Sequence, residues 1–240
     1  MRRRLVAVPL EVFMSSVIVW FRRDLRLADN PALIAALESG RAIVPVYVHA
    51  PHEERPWQPG AASSAWLHRS LLSLDADLRS CGARLVLRVG DSLDELEKLV
   101  EQTQAEAVYW NRLYEPACIA RDTRVKDALK RRGLQVESFN AALLAEPWTV
   151  ATGAGEPYRV FTPFWKNLSQ RIGDIALQQA PARLSPLPAS LASADLADLA
   201  DLGLSPPAHQ PRWDRGFWDK WRPGEAGAAE ALDVFVDGAA

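Results

Sequence analysis

Apolar runs and amphipathic segments alternate from Val17 to Phe139. Val17–Phe21 is continuously apolar and predicts a buried strand. Asn30 then offers a cap for a helix with Pro31 at its first position and Leu33, Ile34 and Leu37 on its inner side. "AIVPVYVHA" (Ala42–Ala50) predicts a second strand. Residues 62–80 predict a helix, since Leu67, Leu71, Leu74 and Leu78 recur at helical spacing. "ARLVLRVG" predicts a third strand, and Ser92 with Glu95 a capping box before a helix that turns Leu93, Leu96 and Val100 inward. "EAVYWN" (Glu106–Asn111) predicts a fourth strand, Glu115 to Arg132 a helix closed by Gly133, and "LQVESF" a fifth strand.

Five strands joined by helices of this length imply an α/β fold: a five-stranded parallel, doubly wound (Rossmann-like) sheet with helices on both faces. The nearly unbroken apolar character of the first, second and fourth strands fits strands covered on both sides. Such sheets bind ligands beyond the carboxyl ends of their strands, where strand order reverses. Arg22 and Arg23 follow the first strand, His49 ends the second and Asn111 ends the fourth, so all four fall on that edge. The chain contains neither G-x-G-x-x-G nor G-x-x-x-x-G-K-[ST], so a ligand there is not cradled as a nicotinamide dinucleotide would be.

Composition narrows the picture. With 240 residues, 48% hydrophobic, 24% charged and a net charge of −2, the chain has an ordinary globular balance and no general attraction for polyanions. Cys81 and Cys118 match no metal or redox spacing and suggest a reducing compartment, with the thiols buried. No apolar run is long enough to span a bilayer. "MRRRLVAVPLEVFM" imitates a secretory signal, but Pro9 and Glu11 interrupt its apolar part. Residues 1–16 are therefore expected to be a disordered extension or the product of a mis-set start, and the protein to be cytoplasmic.

No catalytic constellation emerges. His49, His52, His68 and His209 pair with no nucleophile, no carboxylate pair stands out, and no metal set is spaced for ligation. From about Ala180 the chain turns to Ala, Pro, Ser and Asp with a repeated "ADL", which reads as an extended linker with a short helix across the repeats. Pro223, Gly224 and Glu225 mark a further helix start, with Ala229, Leu232 and Phe235 on its apolar side.

"VIVWFRRDLRLADNPAL", "VYWNRLYEPACIARD", "EPYRVFTPFWKNL" and "RPGEAGAAEAL" occur in this order, and each resembles a segment of the DNA photolyase and cryptochrome family. The resemblance runs from Val17 to Phe235. It implies an antenna-chromophore domain at 17–178, an interdomain linker at 179–221, and at 222–240 the truncated start of a helical FAD-binding domain. FAD, the electron-transfer tryptophans and the contact with UV-damaged DNA belong, by the same resemblance, to the missing helical part. The function implied is that of the light-harvesting portion of a monomeric, FAD-dependent photolyase that repairs cyclobutane pyrimidine dimers. That portion contains no catalytic residue and is inactive alone. The alternatives are a cryptochrome-type blue-light receptor and a stand-alone nucleotide- or chromophore-binding module.

The antenna implied is a folate, a deazaflavin or a flavin, and the residues assigned to it are Arg23, His49, Asn111 and Glu115. Arg23 and Glu115 match positions of the family's deazaflavin pocket. The acidic residue expected two positions before Glu115 is Leu113, the arginine expected at the second helix falls at Ser64, and the folate-binding Asn–Glu pair falls on Ala117 and Cys118. Each assigned residue also has a plainer role open to it. Arg23 can join Arg22 and Arg26 in ion pairs with Asp24 and Asp29, and Glu115 can favour its helix as a first-turn acid. Trp20, Trp66, Trp110 and Trp165 read as core residues, and Trp213, Trp218 and Trp221 as contacts for the missing part.

Overall fold

The computed structural model of the chain describes residues 15–173, 177–195, 204 and 212–239. Five parallel strands form one sheet: β1 (Ser16–Phe21), β2 (Ala42–His49), β3 (Val86–Val89), β4 (Ala105–Asn111) and β5 (Gln135–Phe139). Their order is β3-β2-β1-β4-β5, with Val17 opposite both Ile43 and Ala107. The chain winds outward twice from β1, so the reversal of strand order lies between β1 and β4.

Alternation along β1 divides the core into two layers. Val17, Val19 and Phe21 pack with α1 (Pro31–Glu38) and α2 (Ala61–Ser80) through Leu33, Leu71, Leu74 and Leu78. Ile18 and Trp20 face α3 (Ser92–Thr103) and α4 (Pro116–Arg131), meeting Leu96, Leu99, Val125 and Leu129. Both faces of the sheet are covered, as the apolar strands require.

Helix starts hold one confirmation and one correction. Asn30 caps α1 as expected, accepting from the Leu33 N–H at 3.2 Å. At α3 the cap is Asp91, which accepts from the amides of Leu93 and Asp94, while the Ser92 hydroxyl donates to Glu53 instead. A carboxylate one residue earlier outcompetes the hydroxyl for the free amides of the first turn. A further helix, α5 (Phe161–Ser169), starts without a side-chain cap.

The segment beyond 178 is extended, but it does not hang free. Its Ala194 N–H donates to Leu87 O at 2.9 Å, and the Leu87 N–H donates to Ser193 Oγ at 2.9 Å, so it lies along β3 and covers that edge of the sheet. Leu184 and Leu191 are buried in the two core layers, and Arg84 Nη2 donates to Leu191 O at 2.6 Å. The expected helix across the "ADL" repeats falls on residues outside those described. Past residue 211 come a single turn, α6 (Arg215–Trp218), and α7 (Glu225–Ala239).

α7 docks through its first residue. The Glu225 carboxylate accepts from the amides of Leu27 at 2.7 Å and Ala28 at 3.1 Å, in the loop between β1 and α1. Its Leu232, Val234, Phe235 and Val236 are exposed. No helix of the described residues is long and apolar enough to cross a membrane.

Candidate functional site

The crevice at the strand reversal is closed by a polar knot. Asn111, at the end of β4 and 2% exposed, donates through Nδ2 to Asp24 Oδ2 at 2.5 Å and to Asn30 Oδ1 at 2.7 Å. Its Oδ1 accepts from the Ala32 N–H at 3.1 Å. One side chain thus ties β4 to the loop after β1 and to the first turn of α1. Both of its N–H groups are used inside the fold, which leaves neither for a ligand.

Arg22 points inward beside the knot. Its Nη1 donates to both oxygens of Asp122 on α4, at 2.9 and 2.7 Å, and its Nη2 to the carbonyl of Asn111. The guanidinium also lies 4.7 Å from the Trp20 ring centroid, and Arg121 approaches the same ring at 5.0 Å. Burial pulls the Arg22 pKa down, while the Asp122 charge opposes the fall. Arg22 therefore pairs with Asp122 rather than with Asp24, which takes only its backbone N–H at 2.9 Å. Arg26 reaches the carbonyls of Asp29 and Ala141, with the Asp29 carboxylate 3.9 Å away. The expected brace is real, but most of its acceptors are backbone oxygens or lie far along the sequence.

Arg23 faces outward and is half exposed. It joins Glu54, at 2.9 Å, and Glu115 in one ion-pair cluster. Glu115 is the residue at which α4 begins, and it makes no side-chain cap. Burial pushes the Glu115 carboxyl up, but amide hydrogen bonds and the Arg23 charge more than offset this and hold it below its ordinary value. His49 ends β2 at 7% exposure, and burial lowers its pKa, so the ring is neutral at neutral pH. Beside it the Tyr47 hydroxyl is pushed up by burial and by the Glu54 charge.

Arg23 stands between two cavities of very different size. A chamber of about 90 Å³ is walled by Trp20, Tyr47, His49, Glu54, Arg121 and Arg23 itself. A cleft of about 1110 Å³ opens on its outer side, between α2, the loop after β1, and α7. Of the four residues assigned from the sequence, Arg23 and Glu115 touch, His49 shares the small chamber with Arg23, and Asn111 belongs to the knot.

Sequence reading missed Asp122, Glu54 and the cleft. Asp122 lies 100 residues from Arg22, and its pairing follows from topology alone. Glu54 carried a faint signal: it is the second acid of "PHEERPW", directly after the second strand. Trp66 and Trp165 are not core residues, being 38% and 49% exposed; Trp66 stacks on Trp218 at 6.2 Å, which gives Trp218 a partner within this chain. His52, Glu53 and Asp91 come within metal-ligating distance of one another, but Arg124 already pairs with Glu53 at 3.3 Å and Asp91 at 2.9 Å.

A doubly wound α/β domain with charged side chains and a roomy cleft at its carboxyl edge has the layout in which folds of this class hold their ligands. Residues 17–187 match the family model for DNA photolyase, and the chain belongs to that family. It is 43% identical over 223 residues to a deoxyribodipyrimidine photo-lyase of Agrobacterium fabrum, covering 93% of this chain and 45% of that protein. It is 38% identical over 228 residues to cryptochrome-1 of Arabidopsis thaliana, covering 92% and 32%. A bacterial class III photolyase structure from Agrobacterium tumefaciens superposes with a TM-score of 0.83 at 41% identity, over 97% of this chain and 46% of that one. The chain thus spans less than half the length of these relatives.

Proposed function

We propose that this chain is the light-harvesting part of a light-driven, FAD-dependent photolyase that splits cyclobutane pyrimidine dimers in UV-damaged DNA. The observation that carries the reading is the family match across the whole α/β unit. FAD and the damaged DNA would be held by the part of the relatives' length that this chain does not span. An antenna of the folate, deazaflavin or flavin class would sit at the carboxyl edge of the sheet, and when bound it would absorb near-UV or blue light and pass the excitation on.

The residues present fit such a group on the outer side of Arg23 rather than behind it. Pockets for cofactor-sized ligands run from about 300 to 1,000 Å³. The chamber of about 90 Å³ holds little more than water, whereas the cleft of about 1110 Å³ is ample. Arg23 supplies a permanent positive charge at the boundary, and Glu115 a carboxylate kept ionised. His49 keeps a neutral ring behind Arg23, in the small chamber, and does not line the cleft. Asn111 acts by fixing the loop that carries Arg23.

Energy transfer asks for a rigid chromophore position and for no proton transfer, which suits a domain whose charged groups are paired. The protein would act as a monomer in the cytoplasm. A cryptochrome-type receptor is the second reading, favoured by the 38% identity to the Arabidopsis protein. The test is loss of thymine dimers from an irradiated oligonucleotide under blue light. The whole protein with FAD should remove them and the 240-residue chain alone should not. Repair by the isolated chain would overturn the division of labour, and a whole protein that binds FAD without repairing dimers would favour the receptor.

A further inference from the structure

The chamber behind Arg23 is rich in hydrogen-bond donors. Trp20 and Arg22 stand on its wall, 1% and 5% exposed. The Trp20 indole N–H and the Arg22 Nε–H are buried and have no acceptor among the described residues. Buried donors in native folds nearly always find a partner, so two orphans on one small wall call for an acceptor. The Tyr47 hydroxyl adds a third donor, which burial and the Glu54 charge keep protonated.

Charge points the same way. Arg22, Arg23 and Arg121 line the chamber against one carboxylate, Glu54, which Arg23 already engages at 2.9 Å. Behind the wall Asp122 serves two guanidiniums: it accepts both bonds from Arg22 Nη1 and one from Arg121 Nε at 3.0 Å, with Glu53 3.9 Å from Arg121. A water molecule would accept from these donors but would bring two hydrogens to a wall whose carboxylate is taken, whereas an anion accepts and brings none. Size fixes the class. Water takes about 30 Å³ in the liquid, so a chamber of about 90 Å³ admits an ion of halide or nitrate size and excludes any ring system.

We propose that the chamber is a structural site for a small inorganic anion, a halide or nitrate that accepts from Trp20 Nε1, Arg22 Nε and the Tyr47 hydroxyl. The ion satisfies the two orphaned donors and offsets the guanidiniums that crowd the ends of β1 and β2. It is independent of any antenna, which lies on the other side of Arg23 in the reading above.

The test is thermal unfolding of the 240-residue chain as sodium bromide replaces sodium gluconate at fixed ionic strength. Gluconate is too large for the chamber. A saturable rise in the midpoint is the expected result, because an ion bound only by the native state stabilises it. Tyr47→Phe removes one O–H, and Trp20→Phe removes the indole N–H while keeping an aromatic ring. Each variant should need about tenfold more bromide to reach half of the rise. Anomalous scattering from crystals grown in bromide should place the ion against Trp20, Arg22 and Tyr47. Equal midpoints in the two salts would leave the chamber to water and overturn the site. So would a rise that both variants keep, or bromide found only on the surface. The scattering decides the matter even if neither variant folds.

Discussion

Replacing Asn111 by alanine should cost about 3–4 kcal/mol of folding stability. The side chain is 2% exposed and makes three hydrogen bonds, to Asp24 in the loop after β1 and to Asn30 and Ala32 at the start of α1. Its loss strands the Ala32 N–H, whose residue is 1% exposed, and an orphaned buried donor costs about 1–3 kcal/mol. Asp24 loses the donor on Oδ2 but keeps the Arg22 amide on Oδ1, and Asn30 Oδ1 keeps the Leu33 amide, so these two acceptors add less. Denaturant unfolding followed by tryptophan fluorescence measures the total, with Trp110 adjacent in the chain as a reporter. Asn111→Asp sharpens the test. The new carboxyl would be buried against Asp24, so its folded pKa would lie above its unfolded value of about 3.9. The native state then binds the extra proton, and the variant should be most stable at low pH and lose stability as pH rises through that interval. A cost below about 1 kcal/mol for Asn111→Ala, with a flat pH profile for Asn111→Asp, would refute the knot and return Asn111 to the list of ligand contacts.

Other consequences follow from the same contacts. Leu191→Ala should destabilise by about 2–3 kcal/mol in denaturant unfolding, because Leu191 is 7% exposed in the second core layer; a change near zero would make the segment beyond 178 a mere tether. Glu225→Ala should speed hydrogen exchange at the Leu27 and Ala28 amides by about tenfold or more, while exchange in β1 stays unchanged. Burial raises the Asp91 carboxyl, but the hydrogen bond from Arg124 and the amides of Leu93 and Asp94 outweigh it, so its folded pKa is depressed. Its contribution is therefore present above the unfolded carboxylate pKa and lost as pH falls through the folded one, and Asp91→Ala should flatten that part of the acid unfolding profile. A double-mutant cycle on Arg22 and Asp122 should give a coupling of about 2 kcal/mol or more, since the pair is bidentate and largely shielded from water.

The strands and their covering helices were legible because each carries one period throughout. Val17–Phe21 is apolar at every position since both of its faces are covered, and Leu71, Leu74 and Leu78 keep helical spacing since α2 buries one side. The ligand edge followed from topology, which brings together the ends of β1, β2 and β4 whatever their side chains do. Partnerships across that edge were not legible. Nothing local marks Asp122 as the partner of Arg22 or Glu54 as the partner of Arg23. Nor did the type of Asn111, a polar residue at a strand end, distinguish a fold-tying side chain from a ligand contact. The cap of α3 was misread because Asp91 and Ser92 are both good capping residues and only geometry decides between neighbours. Trp66 and Trp165 were misread because hydrophobicity was taken for burial; each stands partly out of the surface, Trp66 stacked on Trp218 and Trp165 on Phe161.

The central claim is that this domain gathers light for chemistry carried out elsewhere in the protein. The most direct measurement is the action spectrum of dimer splitting by the whole protein loaded with its antenna. The account predicts a band additional to that of FAD, diminished by Arg23→Ala, while splitting under direct flavin excitation persists. An action spectrum that follows FAD absorption alone, unchanged by that substitution, would contradict it.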